Sequence, residues 1–206
     1  MRALYVTHPQ VLIDASVPVP QWGLSPQGRA RAQAFADRDI VPTGAAIFAS
    51  DERKAIELAT LLSPDRDIRI DPSLGENDRS ATGFLPSAEF EAMADRFFGE
   101  PATSAQGWER AIDAQMRIVA AVARALAETG ADRPVVFCGH GGVGTLLKCH
   151  VSGRAIARAE DQSRHAHPGG GNCFAFDLEP AKLAAEWVAM EDFAPGWFSP
   201  SVAAAR

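Results

Sequence analysis

A regular alternation between short apolar runs and longer stretches with helical spacing is the feature that most constrains the fold. The apolar runs, which resemble buried strands, are residues 3–6, 45–49, 68–70, 135–138, 173–178 and 184–190. Alternating strands and helices favour a parallel sheet that is covered by helices on both faces. The short stretch of residues 179–182 lies between the last two runs, which predicts an antiparallel pair at one edge. We therefore predict a three-layer α/β/α sandwich, with a mostly parallel sheet and an antiparallel edge.

Start and stop signals set the expected bounds of the helices, which are residues 28–37, 52–62, 87–98 and 108–128. Ser25 followed by Pro26 supplies a cap and a first-turn proline for the first helix. Asp51 is the expected cap of the second helix, and Gly130 ends the fourth. The fourth helix carries a mostly apolar stripe, which predicts packing against the core rather than chemistry.

The length and composition of the chain fit one domain. Its 206 residues are 47% hydrophobic, which is enough to fill a single core. We expect one domain over residues 1–206, with an inserted subregion at about 72–107 and an irregular tail at 193–206.

Charge and cysteine usage narrow the range of partners. The net charge is −6, with acids and bases interspersed, so the chain lacks a basic stripe for nucleic-acid phosphates. No apolar run approaches the ~20 residues that a membrane-spanning helix needs. Cys138, Cys149 and Cys173 have neither the spacing of a zinc site nor the even number of a disulfide framework. We expect a cytoplasmic protein that binds neither nucleic acid nor membranes, and the apolar tail leaves a homodimer open.

Two histidines follow the ends of predicted strands. His8 comes after the first strand and His140 after the fourth, and ligand sites of open α/β sheets lie outside such ends. Gly141 and the residues after it lead directly into a helix, whose free amides form an anion site that suits phosphate. Two imidazoles at a phosphate predict that one attacks phosphorus while the other binds the oxygens. Glu76 is the candidate carboxyl group for proton transfer.

Several motifs of the chain, taken in order, are similar to those of one enzyme family. After the strand that ends in a histidine, residues 23–32 (Gly-Leu-Ser-Pro-Gln-Gly-Arg-Ala-Arg-Ala) are similar to a Leu-Thr-x-x-Gly-x-x-Gln-Ala stretch. Residues 47–55, 74–76 and 139–143 continue the likeness. Over residues 2–192 the chain resembles the histidine phosphatase superfamily, which includes the phosphoglycerate mutases.

The resemblance implies roles for individual residues. It implies that His8 is phosphorylated, that His140 binds the phosphate and that Glu76 is the general acid. It also implies a small phosphorylated substrate and a reaction that needs no metal or organic cofactor. The predicted function is hydrolysis of a phosphoric monoester through a phosphohistidine intermediate.

The phosphate-binding residues depart from the family pattern. Thr7-His8-Pro9 stands where the family has Arg-His-Gly, and Lys54 stands where a second arginine is expected, with Arg53 beside it. Threonine offers one neutral donor and lysine lacks the planar fork of arginine, so phosphate is held less firmly. We expect Thr7, Lys54 and Arg53 to contact the phosphate.

Further donors are needed at such a site. The amides that begin at Gly141, the side-chain amide of Asn172 and the guanidinium of Arg79 are the candidates. Because charge and donors are fewer than in the family, a monoester is favoured over a multiply phosphorylated substrate.

Four alternatives stay open at this stage. Glu109 could serve as the acid instead of Glu76, and His165 and His167 could bind zinc together with His140. A phosphomutase is possible in principle, although two missing arginines argue against firm retention of a phosphorylated enzyme. The chain could also be a non-catalytic module that binds a phospholigand or a partner on the same fold.

Overall fold

The computed structural model describes residues 2–64, 67–130 and 133–196. The strands are β1 (Arg2–Thr7), β2 (Ala46–Ala49), β3 (Ile68–Ile70), β4 (Val135–Gly139), β5 (Asn172–Leu178) and β6 (Ala181–Ala189). The α-helices are α1 (Pro26–Ala36), α2 (Arg53–Leu62), α3 (Ser87–Gly99), α4 (Ala111–Thr129), α5 (Gly141–Ser152) and α6 (Gln162–His165). Short 3-10 turns lie at Val19–Gln21, Pro72–Leu74 and Arg158–Glu160.

The strands form one sheet in the order β3-β2-β4-β1-β5-β6. The first four strands of that order are parallel. At the other edge β5 is antiparallel to β1, and β6 is antiparallel to β5. In the parallel part Thr7 pairs with Gly139 and Ala49 pairs with Cys138. The carboxyl ends of β1, β2 and β4 therefore lie side by side, and the residues that follow them meet at one edge.

Alternate residues of the strands face two hydrophobic cores. Ala3 and Tyr5 belong to a core with buried residues of α3, α4 and α5, whereas Leu4 and Val6 belong to a core with residues of α1 and α2. This period of two is the pattern expected for a sheet that is buried on both faces. The predicted three-layer α/β/α sandwich with an antiparallel edge is confirmed.

Most of the predicted helix signals are correct. The Ser25 hydroxyl accepts a hydrogen bond from the Gly28 amide at 3.0 Å and caps α1. Gly130 ends α4 with a φ of 82°, a backbone conformation that glycine adopts without strain. The predicted cap at Asp51 is wrong, because α2 begins at Arg53 with Glu52 in the capping position and without a side-chain cap.

Other predicted bounds shift by a few residues. Helix α4 begins at Ala111, so Trp108 lies before the helix and packs against Phe90 and Phe97 instead. Strand β6 begins at Ala181, so the connection after β5 is shorter than residues 179–182. At Trp108 the packing of aromatic rings outweighs the local signals of the sequence. At Ala181 the pairing of β6 with β5 does so.

The segment at 72–107 contributes α3, whose Met93, Ala94, Phe97 and Phe98 are buried. Of the tail predicted at 193–206, residues 197–206 lie outside the described residues.

No helix within the described ranges combines the length and the apolar character needed to cross a membrane. The cysteines are free and buried.

Candidate active site

His8 and His140 lie side by side at the carboxyl edge of the sheet. The centroids of their rings are 5.3 Å apart, and the rings meet edge to face at 71°. The backbone amide of His8 donates to the carbonyl of Gly139 at 3.0 Å, so the parallel pairing of β1 and β4 continues up to the first histidine. The neighbouring strand ends thus bring together the two imidazoles that the sequence separates by more than half its length.

The ring of His8 has one nitrogen that carries no proton. Its Nδ1 atom lies 2.9 Å from the carbonyl oxygen of Pro9. A carbonyl only accepts hydrogen bonds, so Nδ1 carries the proton and Nε2 keeps its lone pair. Burial, together with the nearby His140 and Lys54, lowers the pKa of His8 to about 3. His8 is therefore neutral at physiological pH, as a nucleophile must be.

His140 is fully buried and is held from two sides. Its Nε2 lies 2.7 Å from the Ser50 hydroxyl and 3.3 Å from a carboxylate oxygen of Glu52. Because an ionised carboxylate can only accept, we place a proton on Nε2. Nδ1 is buried without a hydrogen-bond partner among the described residues. Burial lowers the pKa of His140, while the charges of Glu52 and Glu76 oppose that shift.

Tyr5 fixes the backbone of His140 from inside the core. Its hydroxyl donates to the His140 carbonyl at 3.2 Å and accepts from the His140 amide at 3.1 Å. Gly139 leaves room for this contact, since a Cβ there would lie 2.3 Å from the Tyr5 oxygen. Tyr5 therefore positions His140 where its strand gives way to α5.

Glu76 lies at the amino end of α5. Its carboxylate accepts from the amide of Gly142 at 3.1 Å and from that of Val143 at 2.9 Å. Burial would raise the pKa of Glu76, but Arg79, His140 and the Gly142 amide lower it. Two amides that were expected to bind phosphate thus donate to Glu76, because a carboxylate at a helix amino terminus is itself well stabilised.

Glu109 faces a different partner. It forms an ion pair with Arg117 at 2.8 Å and accepts from the amide of Asp78 at 3.1 Å. Arg117 also donates to the carbonyls of Gly75 and Glu76, and so holds the turn that carries Glu76. Glu76 lines the cavity beside His8, and Glu109 does not.

The two cations predicted to hold phosphate occupy different places. Lys54 is buried, donates to the carbonyl of Val19 at 3.0 Å and forms an ion pair with Glu52. The nearby charges of Lys54 and His140 lower the pKa of Glu52 to about 2, although burial alone would raise it. Arg53 lies on the surface, with 61% of its side chain exposed, and pairs with Glu57 at 2.8 Å. The structure therefore brings Lys54 towards the histidines and leaves Arg53 outside.

Thr7 and Asn172 form hydrogen bonds within the protein. The Thr7 hydroxyl accepts from the Asn172 amide at 2.9 Å and lies 2.8 Å from the side-chain oxygen of Gln162, to which it donates. The Asn172 side chain donates to that same oxygen and to the carbonyl of His167, each at 2.8 Å. Both residues organise the loop that carries Gln162 rather than presenting a free donor.

A cavity of about 400 Å³ opens beside His8. Its polar lining includes Glu76, Arg79, Gly141 and Gln162, and its apolar wall includes Phe90, Phe97, Phe98 and Trp108. The Arg79 guanidinium lies over the rings of Phe90 and Trp108, 5.1 and 5.6 Å from their centroids. Within the described ranges Arg79 forms no ion pair, so its charge is available to an anion in the cavity.

A larger groove of about 590 Å³ lies between the end of α5 and β6. It contains neither His8 nor His140, so we assign the site to the smaller cavity.

The two histidines considered as zinc ligands contact the backbone. His165 Nε2 lies 2.6 Å from the Ala159 carbonyl, and His167 Nδ1 accepts from the Gly169 amide. The described part of the chain holds no group of three His, Cys, Asp or Glu side chains placed to share a metal ion.

The sequence analysis assigns no site role to three residues that the structure places at the site, which are Ser50, Glu52 and Gln162. Ser50 and Glu52 follow the end of β2 within three residues, and β2 neighbours β4, so the strand-end signal that indicates the histidines also applies to them. Gln162 begins the short helix α6, for which the sequence analysis gives no such signal.

Comparison with known proteins supports both the fold and the family that the sequence resembles. A sequence model of the histidine phosphatase superfamily (branch 1) matches residues 18–177. The match includes Glu76 and His140 and begins after His8. Among curated proteins the sequence comparison finds no match.

Solved structures share the fold at low sequence identity. A mycobacterial glucosyl-3-phosphoglycerate phosphatase in complex with inorganic phosphate is 24% identical, with a TM-score of 0.69 over 90% of this chain and 95% of that one. A protein described as mycobacterial hydrolase 1 is 22% identical, with a TM-score of 0.71 over 90% and 96% of the two chains. YhfR of Bacillus stearothermophilus is 19% identical, with a TM-score of 0.70 over 89% and 94%.

Proposed function

The chain belongs to the histidine phosphatase superfamily, and from that premise we propose that it hydrolyses a phosphoric monoester of a small metabolite through a phosphohistidine at His8. The observation that carries the proposal is the free Nε2 of a neutral His8, which shares a cavity with Glu76 and lies against His140. A nucleophile, a phosphate-binding imidazole and a carboxyl group for proton transfer are the parts that this reaction needs.

In the first step the Nε2 lone pair of His8 attacks phosphorus, and the bond from phosphorus to the ester oxygen breaks. Glu76 gives its proton to the departing oxygen, so an alcohol leaves and phosphohistidine remains. The carboxyl of the empty site is ionised, because its pKa is lowered. A bound phosphate dianion opposes that negative charge and favours the protonated form that the step requires.

In the second step water attacks phosphohistidine. The Glu76 carboxylate accepts a proton from the water, the bond between phosphorus and Nε2 breaks, and inorganic phosphate leaves. His140 and Arg79 stabilise the negative charge on the phosphoryl oxygens throughout, while Lys54 stays paired with Glu52. In this scheme Thr7 and Asn172 position the neighbouring loop.

Turnover of a panel of phosphate esters tests the proposal. An aryl phosphate, simple sugar phosphates and the phosphoglycerate type named for the mycobacterial structure form a suitable panel. We expect turnover that the His8→Ala variant lacks, and an acid-labile, base-stable phosphoryl group on the wild-type chain after rapid quenching. His150→Ala, which changes an exposed histidine at the far end of α5, is the matched control.

Turnover that survives His8→Ala would exclude His8 as the nucleophile.

One observation favours a second candidate function, a module that binds a phospholigand without turnover. Lys54 and Thr7, which replace two arginines of the family pattern, are both engaged within the protein. Phosphate binding without any turnover would support that candidate.

A further inference from the structure

The side-chain amide of Gln162 has a fixed orientation. Its oxygen accepts hydrogen bonds from the Thr7 hydroxyl and from the Asn172 side chain, each at 2.8 Å. The Thr7 oxygen also accepts the Asn172 backbone amide, and its hydroxyl lies closer to Gln162 than to its other acceptor, the Asn172 carbonyl at 3.4 Å. Two donors on one oxygen identify it as the carbonyl end of the amide, so the NH2 group must point the other way.

The NH2 group of Gln162 points to the cavity. It lies against Gly141, where an added Cβ would come within 2.0 Å of Nε2. Gln162 and Gly141 both line the cavity that contains His8 and Glu76. Nε2 has no hydrogen-bond partner among the described residues, so both of its N–H groups are free to donate.

The site needs a donor at this position. Thr7 stands where an arginine would present two N–H groups, and its own hydroxyl donates to Gln162. The amides of Gly142 and Val143 donate to Glu76 and are unavailable to phosphate. Hydrogen bonds to charged groups are stronger than those between neutral groups, so a free N–H donor beside the site contributes to the binding of an anion.

We propose that Gln162 binds the phosphoryl group through its side-chain NH2, and that Thr7 orients this amide in place of the arginine that would have contacted phosphate directly. This inference rests on the proposed function, which identifies the ligand as a phosphoryl group. Gln162 is the binding residue, Thr7 is a positioning residue that acts through it, and Gly141 provides the space in which the NH2 group lies.

Binding of inorganic phosphate to the full chain tests the proposal without requiring turnover. In Gln162→Glu the oxygen that Thr7 and Asn172 contact is kept, while the group facing the cavity changes from a donor to a negatively charged acceptor. Calorimetry should show Kd for phosphate rising roughly ten- to hundredfold in this variant and in Gln162→Leu, as for loss of hydrogen bonds to a charged group. Gln33→Leu, an exposed glutamine on α1, is the matched control and should change Kd by less than twofold.

The role of Thr7 has its own test. Thr7→Val removes the hydroxyl and should weaken phosphate binding, whereas Thr7→Ser should restore it. The double variant Thr7→Val/Gln162→Leu should bind no more weakly than Gln162→Leu alone, because Thr7 acts through Gln162. Gly141→Ala should weaken phosphate binding, since a methyl group would displace the amide.

The outcomes separate this inference from the proposed hydrolase. Unchanged Kd in both Gln162 variants would overturn the role of Gln162, and additive effects of Thr7→Val and Gln162→Leu would overturn the role of Thr7. Weaker phosphate binding in the Gln162 variants, in a chain that shows no turnover, would support Gln162 while the hydrolase proposal fails. A wild-type chain that binds no phosphate would overturn both.

Discussion

Glu52 links the charges of two groups at the site. One carboxylate oxygen lies 3.3 Å from His140 Nε2, and the other forms the ion pair with Lys54. The oxygen that faces His140 also accepts the amide of Glu76 at 3.1 Å. Through these contacts one buried carboxylate neutralises Lys54, favours a protonated His140 and holds the start of the Glu76 turn.

The Glu52→Gln variant should shift the pH profile of activity. His140 donates from Nε2 to its protein partners, so it can donate from Nδ1 to phosphate only as the imidazolium. The charge of Glu52 raises the pKa of His140 against the effect of burial. Its loss should lower that pKa, and the fall of kcat/KM at high pH should begin at a lower pH than in the wild type.

The matched control is Glu57→Gln, on the same helix, whose carboxylate contacts Arg29 and Arg53 at the surface. Its profile should follow that of the wild type. An unshifted profile in Glu52→Gln, measured between pH 4 and 9 with folding checked by circular dichroism, would show that Glu52 does not set the charge of His140.

Arg79 is the second residue whose charge should be visible in the kinetics. Arg79→Met should raise KM roughly tenfold or more, because a cation that faces the cavity is lost. Since Arg79 lowers the pKa of Glu76, the pH dependence attributed to Glu76 should also move upward in this variant. Arg79→Lys should recover part of the KM effect through its charge. An unchanged KM in Arg79→Met, measured beside an Arg110→Met control at an exposed pair, would remove Arg79 from the phosphate site.

At the scale of elements, the turn between β3 and α3 carries Glu76 and is held from α4 as well as by Glu52. Arg117 reaches from α4 and donates to the carbonyls of Ser73, Gly75 and Glu76 at 2.9 to 3.1 Å. Because one guanidinium satisfies three carbonyls, the position of Glu76 depends on a helix that supplies no group to the cavity.

Arg117→Met should therefore reduce both stability and catalysis. Leaving these carbonyls and Glu109 without their donor should cost about 1–3 kcal/mol of unfolding free energy. Glu76 should lose its fixed position, so we expect kcat to fall more than KM rises. The exposed Arg124 on the same helix is the control, since its ion pair with Asp71 is worth at most about 1 kcal/mol. Equal effects of Arg117→Met and Arg124→Met on melting temperature and kcat would contradict this role.

The elements themselves were predictable because their signals are local. Ser25 caps α1 and Gly130 ends α4 as the sequence indicates, and the apolar runs define every strand of the sheet to within three residues. The site was only partly predictable. His8 and His140 meet because parallel neighbours end together, whereas Lys54 and Thr7 contact Val19 and Gln162, which are distant from them in the sequence.

For the whole molecule, the site concentrates groups whose charge states in the fold differ from those of the unfolded chain. Burial lowers the pKa of His8 from 6.5 to about 3, and the pKa of His140 is also lowered. The pKa of Glu52 falls from 4.5 to about 2. Each of these groups binds protons more readily when the chain is unfolded, so acid favours unfolding.

The sign of this linkage gives a prediction for stability against pH. The contribution of His8 is fully present above pH 6.5 and is lost as the pH falls towards 3, and that of Glu52 is lost between 4.5 and 2. We expect the melting temperature to fall between pH 7 and pH 4, by on the order of 2–4 °C for each kcal/mol of unfolding free energy that proton uptake removes.

The melting temperature of His8→Asn should fall less over this interval, because this variant lacks one group that takes up a proton on unfolding. Glu52→Gln lacks the contribution of Glu52, so below pH 4.5 its melting temperature should fall less steeply than that of the wild type. A His8→Asn chain whose melting temperature falls as steeply as that of the wild type would show that His8 is not held neutral by the fold.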